Sequence, residues 1–188
     1  CFWKFECFMS QLNVDTIGSQ TGTEVAVNSG PYIHQAGILI QFVTYSDVIT
    51  AANTITSTSY TDIEQSSGTK LELKITPKKA NSKIILIGSA QTYHEYAGQV
   101  AYVIALRDIS GGTSDTQVSQ YRFRDENEPN NYNTNSPKPY NFVDTPNTTS
   151  EVTYHFQAKV SSTSAEFQWP AANASTGSSQ TFILWEMG

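Results

Sequence analysis

From residue 37 onward the chain is written as short stretches of alternating apolar and polar residues, set apart by clusters of turn formers. The clearest is Val143 to Val160, VDTPNTTSEVTYHFQAKV. A Pro/Asn/Thr turn at Pro146 to Ser150 leads into a strand with Val152, Tyr154, Phe156 and Ala158 on one face. Thr153, His155, Gln157 and Lys159 fall on the other, the mark of a half-buried antiparallel strand. Lys70 to Pro77 repeats the pattern, with Leu71, Leu73 and Ile75 inward and Glu72, Lys74 and Thr76 outward. Gly37 to Tyr45 is an apolar run of strand length, and Thr54 to Glu64 a Thr/Ser-rich strand of weaker amphipathy. Lys83 to Glu95 is apolar on both faces at its centre, which predicts a central strand. Gln99 to Asp108 is a further core strand, followed by a loop at Ser110 to Asp115. Gln117 to Arg124 turns Val118, Tyr121 and Phe123 inward. Asp125 to Asn141, with three prolines and six asparagines, predicts a long surface loop. Short strands at Ala165 to Pro170 and Thr181 to Gly188 flank a turn at 171–179 and close the sheet. Eight to ten strands at this spacing, with no helical period, predict an all-β domain over 37–188: an antiparallel jelly-roll β-sandwich.

The residues ahead of 37 follow a different grammar. CFWKFECF, 1–8, has no turn chemistry and reads as an extension or start-site artefact, with Met9 as the natural start. Its aromatics also suit a strand or anchor that inserts into a partner. Residues 9–36 set Leu12, Val14, Ile17, Val25 and Val27 between Gly18, Gly22 and Gly30. So few apolar residues cannot support an independent fold, and the segment reads as an extended arm for attachment and oligomer contacts.

Composition narrows the function. The 188 residues support one domain with a small appendage. Charged residues are only 15% and aromatics 12%, with Ser, Thr, Asn and Gln abundant, which suits an extracellular or virion β-protein. A net charge of −6 without a basic run excludes a nucleic-acid partner, since phosphates need clustered Lys and Arg. No apolar run nears the roughly 18 residues of a helical membrane span, so no membrane insertion is expected. Cys1 and Cys7 lie outside the domain, so packing rather than disulfides must hold it. His34, His94 and His155 lack the spacing of a metal site, and neither a metal nor another cofactor is expected. Asp125, Glu126 and Glu128 are near in sequence, but nothing fixes the separation that glycoside hydrolysis requires. No nucleophile or phosphate-loop motif occurs, and no enzyme is expected. Sugar binding remains open to the aromatic and amide-rich segment carrying Tyr121, Arg122, Arg124, Asn131, Tyr132, Asn133 and Tyr140. A packing loop at a subunit contact accounts for the same residues equally well.

Several phrases also resemble a known family. LNVDTIGSQTGTEVAV resembles the leading segment of tail-fibre-like virion proteins of marine and cyanobacterial phages. GILIQFVTY, TSYTDIE, ITPKKANSKIILI, DTPNTTSEVTYHFQAKV and TFILWEMG are similar to successive phrases of the C-terminal domain there, in the same order. The resemblance implies a homotrimer on the exterior of a phage particle, with a head domain of the tumour-necrosis-factor type. Its arm would join other virion proteins of tail or capsid, and its knob would meet host-surface glycan. No repetitive shaft precedes the knob in these residues, so a capsid decoration or cement protein fits as the alternative.

Overall fold

The structure is a computed structural model that describes residues 38–49, 53–66, 69–95, 99–124, 134–169 and 178–188. The expected extension at 1–8 and arm at 9–36, with Leu12, Val14, Ile17, Val25 and Val27, lie outside the described residues. Among those described, the chain forms strands and no helix. In order they are β1 (Leu39–Ile49), β2 (Asn53–Ile55), β3 (Thr61–Asp62), β4 (Glu64–Ser66), β5 (Thr69–Lys70), β6 (Glu72–Ile75) and β7 (Lys83–Glu95). There follow β8 (Val100–Ile109), β9 (Thr116–Arg124), β10 (Thr134–Asp144), β11 (Val152–Val160), β12 (Glu166–Trp169) and β13 (Ser178–Met187).

Two antiparallel sheets carry the fold. In the first, β7 is central, with β10 along one edge and β13 then β1 on the other. The short β12 and β2 extend that second side past the end of β13. The second sheet runs β9–β8–β11, and β6 and β3 share the far edge of β11. The chain keeps crossing between them, giving four-strand orders β1–β13–β7–β10 and β6–β11–β8–β9. That interleaving is the antiparallel jelly-roll β-sandwich expected from the strand spacing.

Two expectations about the strands are corrected. The span from Thr54 to Glu64 is not one strand: β2 pairs with β12 in the first sheet and β3 with β11 in the second. Ser57 turns the chain between them, its hydroxyl accepting from the Ser59 N–H at 3.0 Å while its carbonyl accepts from Val160. The predicted loop from Asp125 to Asn141 yields to β10 at Thr134, despite Pro137 and Pro139. Both prolines sit on an edge strand two residues apart, so their nitrogens share the side turned away from β7. On β9, Val118 and the pair Tyr121 and Phe123 have opposite parity, yet all three pack on the core. Ser119 pairs with Ala105 and Gln117 with Leu106, so Val118 is the extra residue of a bulge that shifts the parity.

The core is aromatic at its centre. Tyr140, Phe156, Phe167, Trp169 and Phe182 are all buried, and Tyr140 has its ring centroid 4.2 Å from Trp169, 5.7 Å from Phe156 and 6.4 Å from Phe182. Gly88 of β7 makes this possible. It pairs with Phe182 on one side and Tyr140 on the other, and a Cβ there would lie 2.1 Å from Phe182 Cδ1 and 2.7 Å from the Thr181 carbonyl oxygen. The missing side chain is the space into which the Phe182 ring leans.

Polar clamps fix one end of the sandwich, where Asp144 and Glu186 both pair with Ile84 of β7. The Arg107 guanidinium, on β8, donates from Nη1 to both carboxylate oxygens of Asp144 on β10 at 2.7 and 2.8 Å. Tyr154 on β11 donates to the same carboxylate at 2.9 Å, so two strands of one sheet grip a residue of the other. Burial beside that carboxylate drives the Tyr154 hydroxyl far above its ordinary pKa. Glu186, fully buried on β13, accepts from the backbone N–H of Lys78 at 2.8 Å and of Lys79 at 3.1 Å, and from the Gln41 amide at 2.6 Å. Burial alone would raise its pKa, but these hydrogen bonds outweigh it and hold the carboxyl below its ordinary value.

Two outcomes follow. Gly88→Ala is expected to lose about 1–3 kcal/mol in urea unfolding, because backbone and ring must both retreat. Because the folded pKa of Glu186 is depressed, its stabilisation is present at neutral pH and is lost as pH falls through about 4.5 and below. Glu186→Gln is therefore expected to be less stable near pH 7 and to show a flatter loss of melting temperature on acidification.

Candidate functional site

The outer faces of the two sheets have unlike chemistry. In the first sheet, strand register places Phe42, Trp185, Ile85 and Val143 in one row across all four strands. Thr44, Ile183, Ile87 and Asn141 form the next, and Ser46, Thr181, Ser89 and Pro139 the one after. Phe42 is 61% exposed and Val143 59%, and Leu39 and Ile87 are also exposed. Trp185, Ile85 and Ile183 are half-buried between them. At about 4.8 Å per strand the apolar row from Phe42 to Val143 is about 14 Å across; the next two rows mix in hydroxyl and amide groups, and none of the three carries a charged residue. Scattered surface apolar residues need no explanation, but a band spanning a whole sheet marks a contact surface.

The second sheet presents the opposite. Its outer face carries Lys70, Lys74, Arg122 and Lys159 with Asp62, Glu72 and Asp108. Lys70 pairs with Asp62 at 2.9 Å, Lys74 with Glu72 at 2.8 Å, and the Lys159 ammonium lies 4.6 Å from the Tyr60 ring centroid. Hydration and local pairing satisfy such a face in water.

Beside the buried Ile104 and Leu106, one ionisable residue of this face is also shut away from water. His155, expected outward and indeed on the outer side of β11, is 2% exposed. Its Nε2 stands 3.3 Å from Asp108 Oδ2 and 3.5 Å from Asp115 Oδ1, while Nδ1 faces Asp62 Oδ1 at 3.8 Å. Asp108 is the penultimate residue of β8, and Asp115 closes the β8–β9 loop in the left-handed region at φ 53°, its N–H donating to Asp108 at 2.7 Å. Gly111, at φ 74°, supplies the other left-handed position of that loop. Asp62 is held by the Gln157 amide at 2.9 Å and by Lys70; burial pushes its carboxyl up, but these hydrogen bonds outweigh it and set it below its ordinary pKa. No sequence spacing announced this cluster, because sheet pairing and a hairpin loop assemble it from positions 62, 108, 115 and 155. The one available signal was a histidine at the middle of an outward row.

The residues singled out for sugar binding do not converge. Tyr140 is a correction: fully buried under five aromatic neighbours, it is a core residue whose hydroxyl burial drives well above its ordinary pKa. Tyr121 is half-buried, edge-on to Tyr140 at 5.0 Å, and donates to the Asn141 carbonyl at 3.0 Å. Arg122 is exposed on the opposite side of β9, paired across from Tyr102. The side chain of Arg124, and Asn131, Tyr132 and Asn133, lie outside the described residues. An open groove of about 510 Å³ near β2 and β3 is lined by hydroxyl and amide groups, among them Thr54, Ser57, Thr61 and Gln157.

No protein-family model matches the sequence, and no curated protein matches it. Among solved structures, the VP2 subviral particle of infectious bursal disease virus is similar over 79% of this chain and 40% of that one, at 9% identity and a TM-score of 0.42. The structure of the Gx strain of that virus gives 10% identity and a TM-score of 0.35 over 79% of this chain and 42% of that one. Latent PorU from Porphyromonas gingivalis gives 11% identity and 0.31 over 81% of this chain and 13% of that one. This chain thus spans less than half the length of each.

The split between core and surface is measurable. Tyr140→Ala is expected to cost about 3–5 kcal/mol in urea unfolding, as for a buried aromatic, and Arg122→Ala less than about 0.5 kcal/mol.

Proposed function

We propose that this chain is a non-enzymatic structural protein of a phage virion, which assembles as a homotrimer through the outer face of its first sheet. The apolar, charge-free band from Phe42 to Val143 is the observation that carries the proposal. A chain of net charge −6 repels its copies, and this is the face on which they approach without like charges meeting. Burying such a band between identical subunits removes Phe42, Trp185 and Val143 from water at about 25 cal/mol per Å² of apolar surface. The paired charges of the second sheet then face outward.

The resemblance of the phrases at 12–27 and along the domain to tail-fibre-like phage proteins supports placing the protein on the particle exterior. In that arrangement the arm, with Leu12, Val14, Ile17, Val25 and Val27, joins other virion proteins, and the knob faces the host surface. Three weak glycan contacts on one particle gain avidity from their linkage. With Tyr140 in the core, such contacts fall to exposed groups such as Arg122 and to the segment carrying Asn131, Tyr132 and Asn133. A decoration or cement protein of the phage head is the alternative, favoured by the same apolar face, which suits a permanent assembly.

Sedimentation equilibrium of the full chain tests the assembly. The expected mass is three times 20.7 kDa, and the double variant Phe42→Asp with Val143→Asp is expected to sediment as a folded monomer. A wild-type monomer, or a variant that remains trimeric, removes the face from the assembly.

A further inference from the structure

We propose that His155, Asp108 and Asp115 form a binding site for a divalent transition cation of the zinc class on the outer face of the second sheet. The inference is independent of the proposed assembly. Its first support is geometric. The ligand atoms of the three residues lie within 4.8 Å of one another, with Nε2 at 3.3 and 3.5 Å from the two carboxylates. Two ligands at about 2.0–2.1 Å from a tetrahedral zinc ion stand about 3.4 Å apart. The side chains are therefore spaced as neighbours on a coordination shell rather than as hydrogen-bond partners.

Its second support is the imidazole itself. The ring is 2% exposed and neither nitrogen has a hydrogen-bond partner, although the ring is aimed between carboxylates. A buried polar group in that state is destabilising, and a bound ion at Nε2 would satisfy it. Asp62 completes the pattern. Its Oδ1 lies 3.8 Å from Nδ1 on the far side of the ring, where it would favour the tautomer protonated at Nδ1 once an ion takes the Nε2 lone pair between Asp108 and Asp115. Charge agrees as well: three aspartates face the ring, Lys70 offsets one of them, and a dication neutralises the remaining two. One imidazole with carboxylates selects zinc-like ions over calcium, whose sites are built from oxygen. Asp115 is the exposed member, with a side chain 64% accessible, and it gives the ion its way in.

Such an ion would join β11, the end of β8 and the β8–β9 loop. Since the site exists only in the folded sheet, binding would add to stability. The test is isothermal titration calorimetry of the chelator-treated full chain with ZnCl2, with CaCl2 in parallel and melting temperature as a second readout. Because Cys1, Cys7 and His34 are further zinc-binding side chains in the chain, the variant Asp115→Asn decides. Asparagine accepts the left-handed backbone at that position, so the variant is expected to melt with the metal-free wild type. The expected result is zinc binding that Asp115→Asn weakens at least about tenfold, with a zinc-dependent rise in melting temperature in the wild type that the variant lacks. Zinc affinity unchanged in both Asp115→Asn and Asp108→Asn, no saturable zinc binding by the wild type, or tighter binding of calcium than of zinc overturns the assignment.

Discussion

Everything in this domain depends on two sheets closing over one layer of aromatic rings. Tyr140 comes from β10, Phe156 from β11, Trp169 from β12 and Phe182 from β13, so the cluster exists only when strands distant in sequence are in register. Gly88, at the crossing of β7, β10 and β13, is where that layer reaches the backbone. Because side chains alternate along a strand, a slip of any one strand by a residue would turn its aromatic outward. The clamps at Asp144 and Glu186 act in the same sense, each tying residues far apart in the chain, and they set register by charge where the core sets it by shape.

The two outer surfaces divide the remaining work. One sheet shows a neutral apolar band, the other a field of paired charges around a buried histidine. A protein that only had to stay soluble would have no use for the first. The paired charges of the second face suit it to water, while the first presents the apolar row that the proposed assembly would cover.

Where the period of burial equals the period of the strand, the fold was legible in the sequence. Val152, Tyr154, Phe156 and Ala158 are buried as their alternation implies, and β7 is central as its doubly apolar pattern implies. That same pattern carried a second message: Ile85 and Ile87 point away from the core of their own chain, and the apolar face they share with Phe42 emerges only when four strands are set in register. β10 was hidden by its prolines and asparagines, since local propensity speaks for a loop and only pairing with β7 overrides it. The division of 54–64 between two sheets was equally silent, because short strands with hydroxyl side chains have no strong face. The cluster at His155 could not be read at all. Its members are separated by 46, 7 and 40 positions in the chain and meet through hydrogen-bonded neighbours rather than through any motif.

Pro137 and Pro139 on β10 reach beyond the fold of a single molecule. With no N–H at two alternate positions, the rim of the first sheet offers an incoming strand an interrupted ladder, and continuous sheets growing from molecule to molecule cannot start there. A sticky surface beside an open rim would invite fibrils. Interrupting that rim removes one edge along which crowded copies could add strand to strand.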